Sequence, residues 1–382
     1  MSGCRNVRLI AFLSVAMTLA PALRAQIATP AYAAALEQQG KLEEAAQAWL
    51  AVTRRTPRDA AAFASLGLVL SRQKKYTEAA SAYRKAIALN PSLPGVQIDL
   101  GLAEFKQGHF EAAIPPLRAA LSASPNSLQA ATLLGLSCYG AKRFAEASKY
   151  LAVASATDEA NTELHQTLAQ SCLLAKNYPC ALREFRKLQQ LNPNSWAVHK
   201  FTGEALDGEG DTAGAIVEFQ KAISLAPHQP DLHFALGYLY WKAQRFDDAV
   251  VALDAELKIV PGNPQALAYL GDIAMQNGNY AKALPLLRRA AQLQKDNRLA
   301  YLDTGSILMD EKKYPRALSA LRRAVELDPS KPDAHFRIGR IEQSLGNTAA
   351  AEKEFLKVRE LREKQTQEIA AKAQKHLASG SQ

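Results

Sequence analysis

The 382-residue sequence contains no H-E-x-x-H pair, no phosphate loop ending in G-K-S/T, no G-x-S-x-G elbow and no C-x-x-C-H. The usual zinc-protease, nucleotide, serine-hydrolase and haem chemistries therefore find no residues here. The Gly208-Glu209-Gly210-Asp211 stretch has no strand before it and reads as a turn rather than a nucleotide loop. Cysteine is scarce at four residues, and the spacings within Cys138, Cys172 and Cys180 match neither a zinc site nor a disulfide framework. Both Cys138 and Cys172 read as buried helix residues, and the one pair placed to bridge is Cys172 with Cys180, across a single turn. The absence of any N-x-S/T sequon favours a bacterial envelope over a eukaryotic secretory route.

A long hydrophobic run is also missing. The longest near the N-terminus, Leu9 to Ala20, has Ser14 and Thr18 inside it, and falls short of the roughly 20 apolar residues that span a bilayer as a helix. With Arg5 and Arg8 before it and Ala20, Ala22 and Ala25 after it, it has the layout of a secretory signal peptide over residues 1–25. Cleavage before Gln26 removes Arg5, Arg8 and Arg24 and lowers the net charge from +9 to +6. No membrane span then remains. The expected compartment is the periplasm, with secretion or an uncleaved N-terminal anchor as alternatives. An exported basic chain points to an acidic partner or anionic surface and away from nucleic acid.

What is present is register. Alanine recurs every 34 residues at Ala45, Ala79, Ala113, Ala147, Ala181, Ala215, Ala249, Ala283, Ala317 and Ala351. Ten units follow without insertion or deletion, at 26–59, 60–93, 94–127, 128–161, 162–195, 196–229, 230–263, 264–297, 298–331 and 332–365. Position 8 is glycine in eight of them, with Ala33 and Ala169 as substitutes, and position 24 is always large and apolar, from Trp49 to Phe355. Small residues let two helices approach, and the large one is the knob that fills the gap. Position 32 is proline in seven units, which ends a helix, and Ser127, Asn161, Ser195, Asn263 and Asn297 follow as N-caps. Glu159, Lys295 and Glu363 replace that proline and mark places where the second helix loosens or runs on. Pro115, Pro116 and Pro285 predict local kinks. Residues 366–382 predict a helical cap to about His376 and a frayed tail.

This small–large–small–proline pattern resembles the tetratricopeptide repeat over residues 26 to 365; in the second unit Leu66, Gly67, Tyr76, Ala79, Tyr83, Ala86 and Pro91 match its pattern nearly throughout. The resemblance implies an all-α fold: an α-solenoid, a right-handed superhelix of ten helix-turn-helix repeats. It also implies protein binding along a concave groove lined by positions 2, 5, 9, 12 and 13, and a solvent-facing convex side.

His165, His199, His233 and His335 share position 4. Packed neighbouring helices lie roughly 8–10 Å apart, too far for zinc ligation, so packed imidazoles are expected and neither metal nor cofactor. The basic pairs Arg84–Lys85, Arg186–Lys187, Arg288–Arg289 and Arg322–Arg323 fall on the solvent-facing helices. A second basic series, Lys74–Lys75, Lys142–Arg143, Lys176 and Lys312–Lys313, lines the turns as an edge for an acidic partner. Chaperone-tail capture is disfavoured, because Lys200 at position 5 is followed by Glu204 at position 9 where that use of the family needs asparagine.

The groove positions are where units differ. Phe234, Tyr238, Trp241, Tyr269 and Met275 form an aromatic and thioether cluster of the residue types that dominate interface hot spots. Glu204, Asp207, Asp272 and Asp310 surround it with negative charge, whereas Asp231 and Asp333 read as helix caps. The function expected is a non-enzymatic scaffold of the cell envelope that holds a partner segment in this groove. The alternative is a carbohydrate or cell-wall module in which the aromatic cluster is a stacking platform.

Overall fold

The computed structural model describes residues 29–379. The expected leader at 1–25 and the last three residues of the expected frayed tail lie outside them. All regular structure among the described residues is helical, in consecutive pairs, and the chain divides into two compact units between Thr157 and Asp158. That division falls beside Glu159, where the proline stop is missing. The first unit holds α1 (Pro30–Gln38) and α2 (Leu42–Arg55), α3 (Ala60–Arg72) and α4 (Tyr76–Leu89), α5 (Val96–Lys106) and α6 (Phe110–Ala123), and α7 (Leu128–Gly140) and α8 (Phe144–Ser155). The second holds α9 (Thr162–Leu174) and α10 (Tyr178–Leu191), α11 (Trp196–Glu209) and α12 (Thr212–Leu225), and α13 (Leu232–Lys242) and α14 (Phe246–Ile259). It continues with α15 (Pro264–Gln276) and α16 (Tyr280–Leu293), α17 (Arg298–Asp310) and α18 (Tyr314–Leu327), and α19 (Pro332–Ser344) and α20 (Thr348–Ser379).

The helix boundaries follow from local chemistry. Side chains of Ser127, Asn161, Ser195, Asn263 and Asn297 each accept the backbone N–H of the first turn they precede, satisfying a donor that has no partner within the helix. Although Glu159 and Lys295 stand where proline ends the others, neither helix runs on: α16 stops at the common place and α8 stops two residues sooner, at Ser155, each before the next cap. After Glu363 no further cap follows, and α20 runs on to Ser379. Pro115 and Pro116 lie inside α6 and Pro285 inside α16 without breaking either helix.

Asp231 departs from the expected cap. It takes a left-handed backbone (φ 69°) and its side chain caps nothing. Instead the buried Glu256 of α14 accepts the N–H groups of Asp231 (3.1 Å) and Phe234 (3.2 Å) and the amide of Asn263 (3.3 Å). Asp333 lies inside α19, after the Lys331 cap position, and is held by Arg298.

Every turn within a pair reverses the chain through one left-handed residue. It is glycine at Gly40, Gly108, Gly210, Gly278 and Gly346, but Lys74, Lys142, Lys176, Gln244 and Lys312 in the other five. A side chain in that region costs roughly 1–2 kcal/mol where glycine costs nothing.

Within each pair the small residue faces the large one. A Cβ built on Gly67 would stand 2.6 Å from the Tyr83 ring, and the same holds for Gly101 against Leu117 (2.3 Å), Gly237 against Leu253 (2.7 Å) and Gly271 against Leu287 (2.6 Å). The core is a succession of clusters; one joins Ala215, Phe219, Leu232, Leu236, Leu253 and Leu270, and the next joins Ala268, Leu287, Ala300 and Ile307. The position-4 histidines pack as expected, through a partner that sequence reading missed. His165 donates to Glu184 (2.8 Å), His199 to Glu218 (2.6 Å) and His335 to Glu354 (2.6 Å), each glutamate 19 residues on in the same repeat. His233 has Ala252 at that place and turns to the Pro227 carbonyl at 3.0 Å.

Gly271→Val is expected to lower unfolding stability by about 1–3 kcal/mol, the usual cost of overpacking. Gly262→Ala, where an added Cβ meets nothing within 4 Å, is expected to leave it unchanged or raise it slightly. Equal melting temperatures for the two variants would contradict the packing account.

Candidate functional site

The site lies wholly in the second unit, where the first helices of successive pairs lie side by side, α13 on α15, α15 on α17 and α17 on α19. Residues at a fixed repeat position thus form rows across neighbouring helices. Tyr238 and Trp241 share a face of α13 with their rings stacked at 6.0 Å, and Tyr269 from α15 meets the Trp241 ring edge-on at 4.9 Å and Tyr238 at 5.6 Å. Phe234 closes the cluster against Tyr269 at 6.0 Å. All four rings are half-buried, which leaves each partly open to a ligand. A cleft of about 240 Å³ opens beside them, lined by Phe234, Tyr269, Gln265, Asn297, Arg298 and Leu299.

Beneath the rings is a polar layer. The Trp241 indole N–H and the Gln276 amide both donate to one oxygen of Asp272, each at 2.6 Å. Burial raises the Asp272 carboxyl above its ordinary range despite these bonds and the field of Arg337. Next to it, Asp303 is buried, one of its oxygens has no hydrogen-bond partner, and burial together with the Asp272 charge pushes it well above the carboxylate range. Two carboxyls so placed disfavour each other's ionisation in a poorly solvated pocket. Burial, with Tyr238, Asp272 and Asp303 nearby, drives the Tyr269 hydroxyl up to about 12. Arg298 and Asp333 close the far side as a two-bond ion pair. Burial alone would raise Asp333, but Arg298 outweighs it and holds the carboxyl low.

Of the residues singled out from sequence, the structure brings together Phe234, Tyr238, Trp241, Tyr269 and Asp272. Met275 packs with the core cluster of α15 and α16. The remaining acids are engaged locally: Glu204 by Lys200 at 3.4 Å, Asp207 by Lys242 of α13 at 2.6 Å, and Asp310 by the Tyr280 hydroxyl at 2.8 Å. The groove is therefore less negative than a count of its carboxylates suggests. Asp303 and Arg337 were missed, yet a signal existed. Tyr269, Asp303 and Arg337 all occupy position 6, so consecutive repeats set ring, acid and base in one row.

No group of three or more His, Cys, Asp or Glu among the described residues is arranged to hold a metal ion. No described helix is long and apolar enough to cross a membrane. Cys172 and Cys180 form a disulfide with Cα atoms 5.7 Å apart, joining α9 to α10, while Cys138 is free and buried.

Family models described as tetratricopeptide repeat match residues 22–94, 98–161, 234–298 and 332–365, and one described as TPR repeat matches 203–244 and 305–346. Among solved structures, the APC/C hetero-tetramer Cut9-Hcn1 is 13% identical and aligns over 86% of this chain and 80% of that one, with a TM-score of 0.51. A crystal structure of MamA is 24% identical over 43% of this chain and 96% of its own, with a TM-score of 0.37. The MamA AMB-1 structure is 22% identical over 44% and 91%, with a TM-score of 0.39. A comparison with curated proteins gave no match.

The Asp272–Asp303 pair generates a pH prediction. A carboxyl whose pKa is higher folded than unfolded adds stability that is complete below the unfolded value, near 4, and is lost as pH rises through the folded value. Asp303→Asn keeps the shape, supplies an N–H to Asp272 and removes the second charge. It is expected to raise stability at neutral pH and to flatten the decline as pH rises above about 4. Urea unfolding from about pH 4 to about pH 8 measures both, and a wild-type-like slope in the variant would refute the mutual opposition of the two carboxyls.

Proposed function

Because the chain belongs to the tetratricopeptide repeat family, whose members are typically scaffolds for protein–protein interaction, we propose that it is a non-catalytic scaffold holding a partner protein in the groove of α13, α15 and α17. The observation that carries this reading is the cluster of Phe234, Tyr238, Trp241 and Tyr269, half-open above a buried polar layer. The Trp241 indole is held from below by Asp272 and Tyr269 by the three rings around it, so a partner meets rings already in place and little side-chain entropy is lost on binding. Apolar side chains of an extended or helical segment fit such a surface. Interface energy concentrates on aromatic anchors of this kind.

The scaffold is further proposed to be exported and to work in the bacterial envelope, most plainly the periplasm. Two features support this: the leader-like residues 1–25 and the Cys172–Cys180 disulfide, a bond that persists in oxidising compartments. Terminal sequencing of protein from the periplasmic fraction is expected to begin at Gln26. Recovery only from the cytoplasm with Met1 intact would overturn export.

The groove is tested by capturing a partner from native envelope extract, identifying it, and titrating the purified pair. Phe234→Ala with Tyr238→Ala is expected to weaken binding by about tenfold or more, the effect of losing a hot spot, with helical content preserved. Undiminished binding would exclude the groove. Calorimetric heat with cell-wall glycans that vanishes in Trp241→Ala would favour the stacking-platform alternative.

A further inference from the structure

We propose that a second surface, the channel between α16 and α18, docks an acidic peptide segment that carries apolar side chains. The channel is about 680 Å³ and its floor is Leu284, Ala291, Tyr301, Leu308 and Ala320. It uses a different face of α17 from the groove: Tyr301, Thr304 and Leu308 line the channel, whereas Asp303 lies in the aromatic site. Four cations stand around it, Arg288 from α16, Lys313 before α18, and Arg316 and Arg323 from α18. Two are satisfied internally, Lys313 by Glu311 at 2.9 Å and Arg323 by Glu326 at 2.9 Å. Arg288 and Arg316, both exposed, have no carboxylate partner among the described residues. They face the floor from the two walls, so the channel presents unneutralised positive charge on each side of an apolar strip.

The chain contains its own comparison. In the first unit a channel of about 670 Å³ lies between α2 and α4 at the same repeat positions. There Leu50 occupies the place of Arg288 and Glu78 the place of Arg316. Lys75 pairs with Glu43 at 3.0 Å and Lys85 lies over the Phe63 ring at 5.4 Å, while Arg54 is exposed on the α2 wall. The repeat builds the channel in both units, but the α16–α18 channel is lined by four cations against two carboxylates and the α2–α4 channel by three against two.

The lining selects among anionic partners. A continuous phosphate backbone would run against Glu311 and Glu326 and would gain nothing from the leucine floor. A membrane surface is flat where this channel is recessed. Carboxylates spaced along a peptide can reach Arg288 and Arg316 while its apolar side chains cover Leu284 and Leu308.

The probe is a fluorescein-labelled 14-residue helical peptide of leucine and glutamate, titrated against the full mature chain by anisotropy, beside the same peptide with lysine for glutamate. The wild type is expected to prefer the glutamate peptide by about tenfold. Arg288→Glu with Arg316→Glu is expected to reverse that preference without moving the melting temperature, since both side chains are exposed and unpaired. If that variant melts early, Arg288→Gln with Arg316→Gln is expected to abolish the preference. Equal binding of both peptides to the wild type would overturn the proposal. So would an unchanged preference in the variants, equally tight binding of leucine-free polyglutamate, or ready displacement by single-stranded DNA or anionic vesicles. Phe234→Ala with Tyr238→Ala is expected to leave the titration unchanged, so this result stands or falls separately from the groove.

Discussion

Close approach of two helices, glycine against a large apolar residue, is the constraint from which the rest follows. Gly271 gives Leu287 a place to sit, Gly237 does so for Leu253, and Gly67 for Tyr83. With the pair closed, its two helices present fixed faces to the next pair, and the clusters of buried residues join one pair to the next along each unit. Side chains at a given repeat position are then neighbours in space although 34 residues apart in sequence. The aromatic site and the basic channel both arise in this way.

The fold was legible because its determinants recur. Glycine at position 8 names its partner at position 24, and Ser127, Asn161, Ser195, Asn263 and Asn297 declared helix starts that the structure shows hydrogen bond by hydrogen bond. Legibility failed where one residue substitutes for another's task. Asp231 has the composition of a cap, yet Glu256 does the capping from 25 residues away. Nothing local in sequence marks that, since the glutamate reaches its donors only after α13 and α14 have packed.

The site was half legible. Aromatic residues announce themselves by type, so Phe234, Tyr238, Trp241 and Tyr269 could be found by asking which units differ. Carboxylates do not, because their effect depends on burial and on who stands opposite. Glu204 and Asp207 are quenched by lysines one turn or one repeat away. Asp303 matters because the fold buries it beside Asp272. The same dependence on partners separates the arginines of the outer helices. Arg84 and Arg322 reach across to Glu104 and Glu342 of the following pair, whereas Arg288 keeps its charge free.

The left-handed residue that turns every pair carries a consequence for how such a chain can change length. The turns recur at one fixed spacing, and the caps fall at the same count from the turn except at α5 and α13, which start two residues later. Removal of one whole 34-residue block would bring glycine to face its knob again, whereas removal of any other number within a repeat would leave them out of phase. Chain length is thus quantised, much as a reading frame is. The protein can lengthen or shorten by duplication and excision of intact cassettes, while the residues that distinguish one cassette from another travel with it.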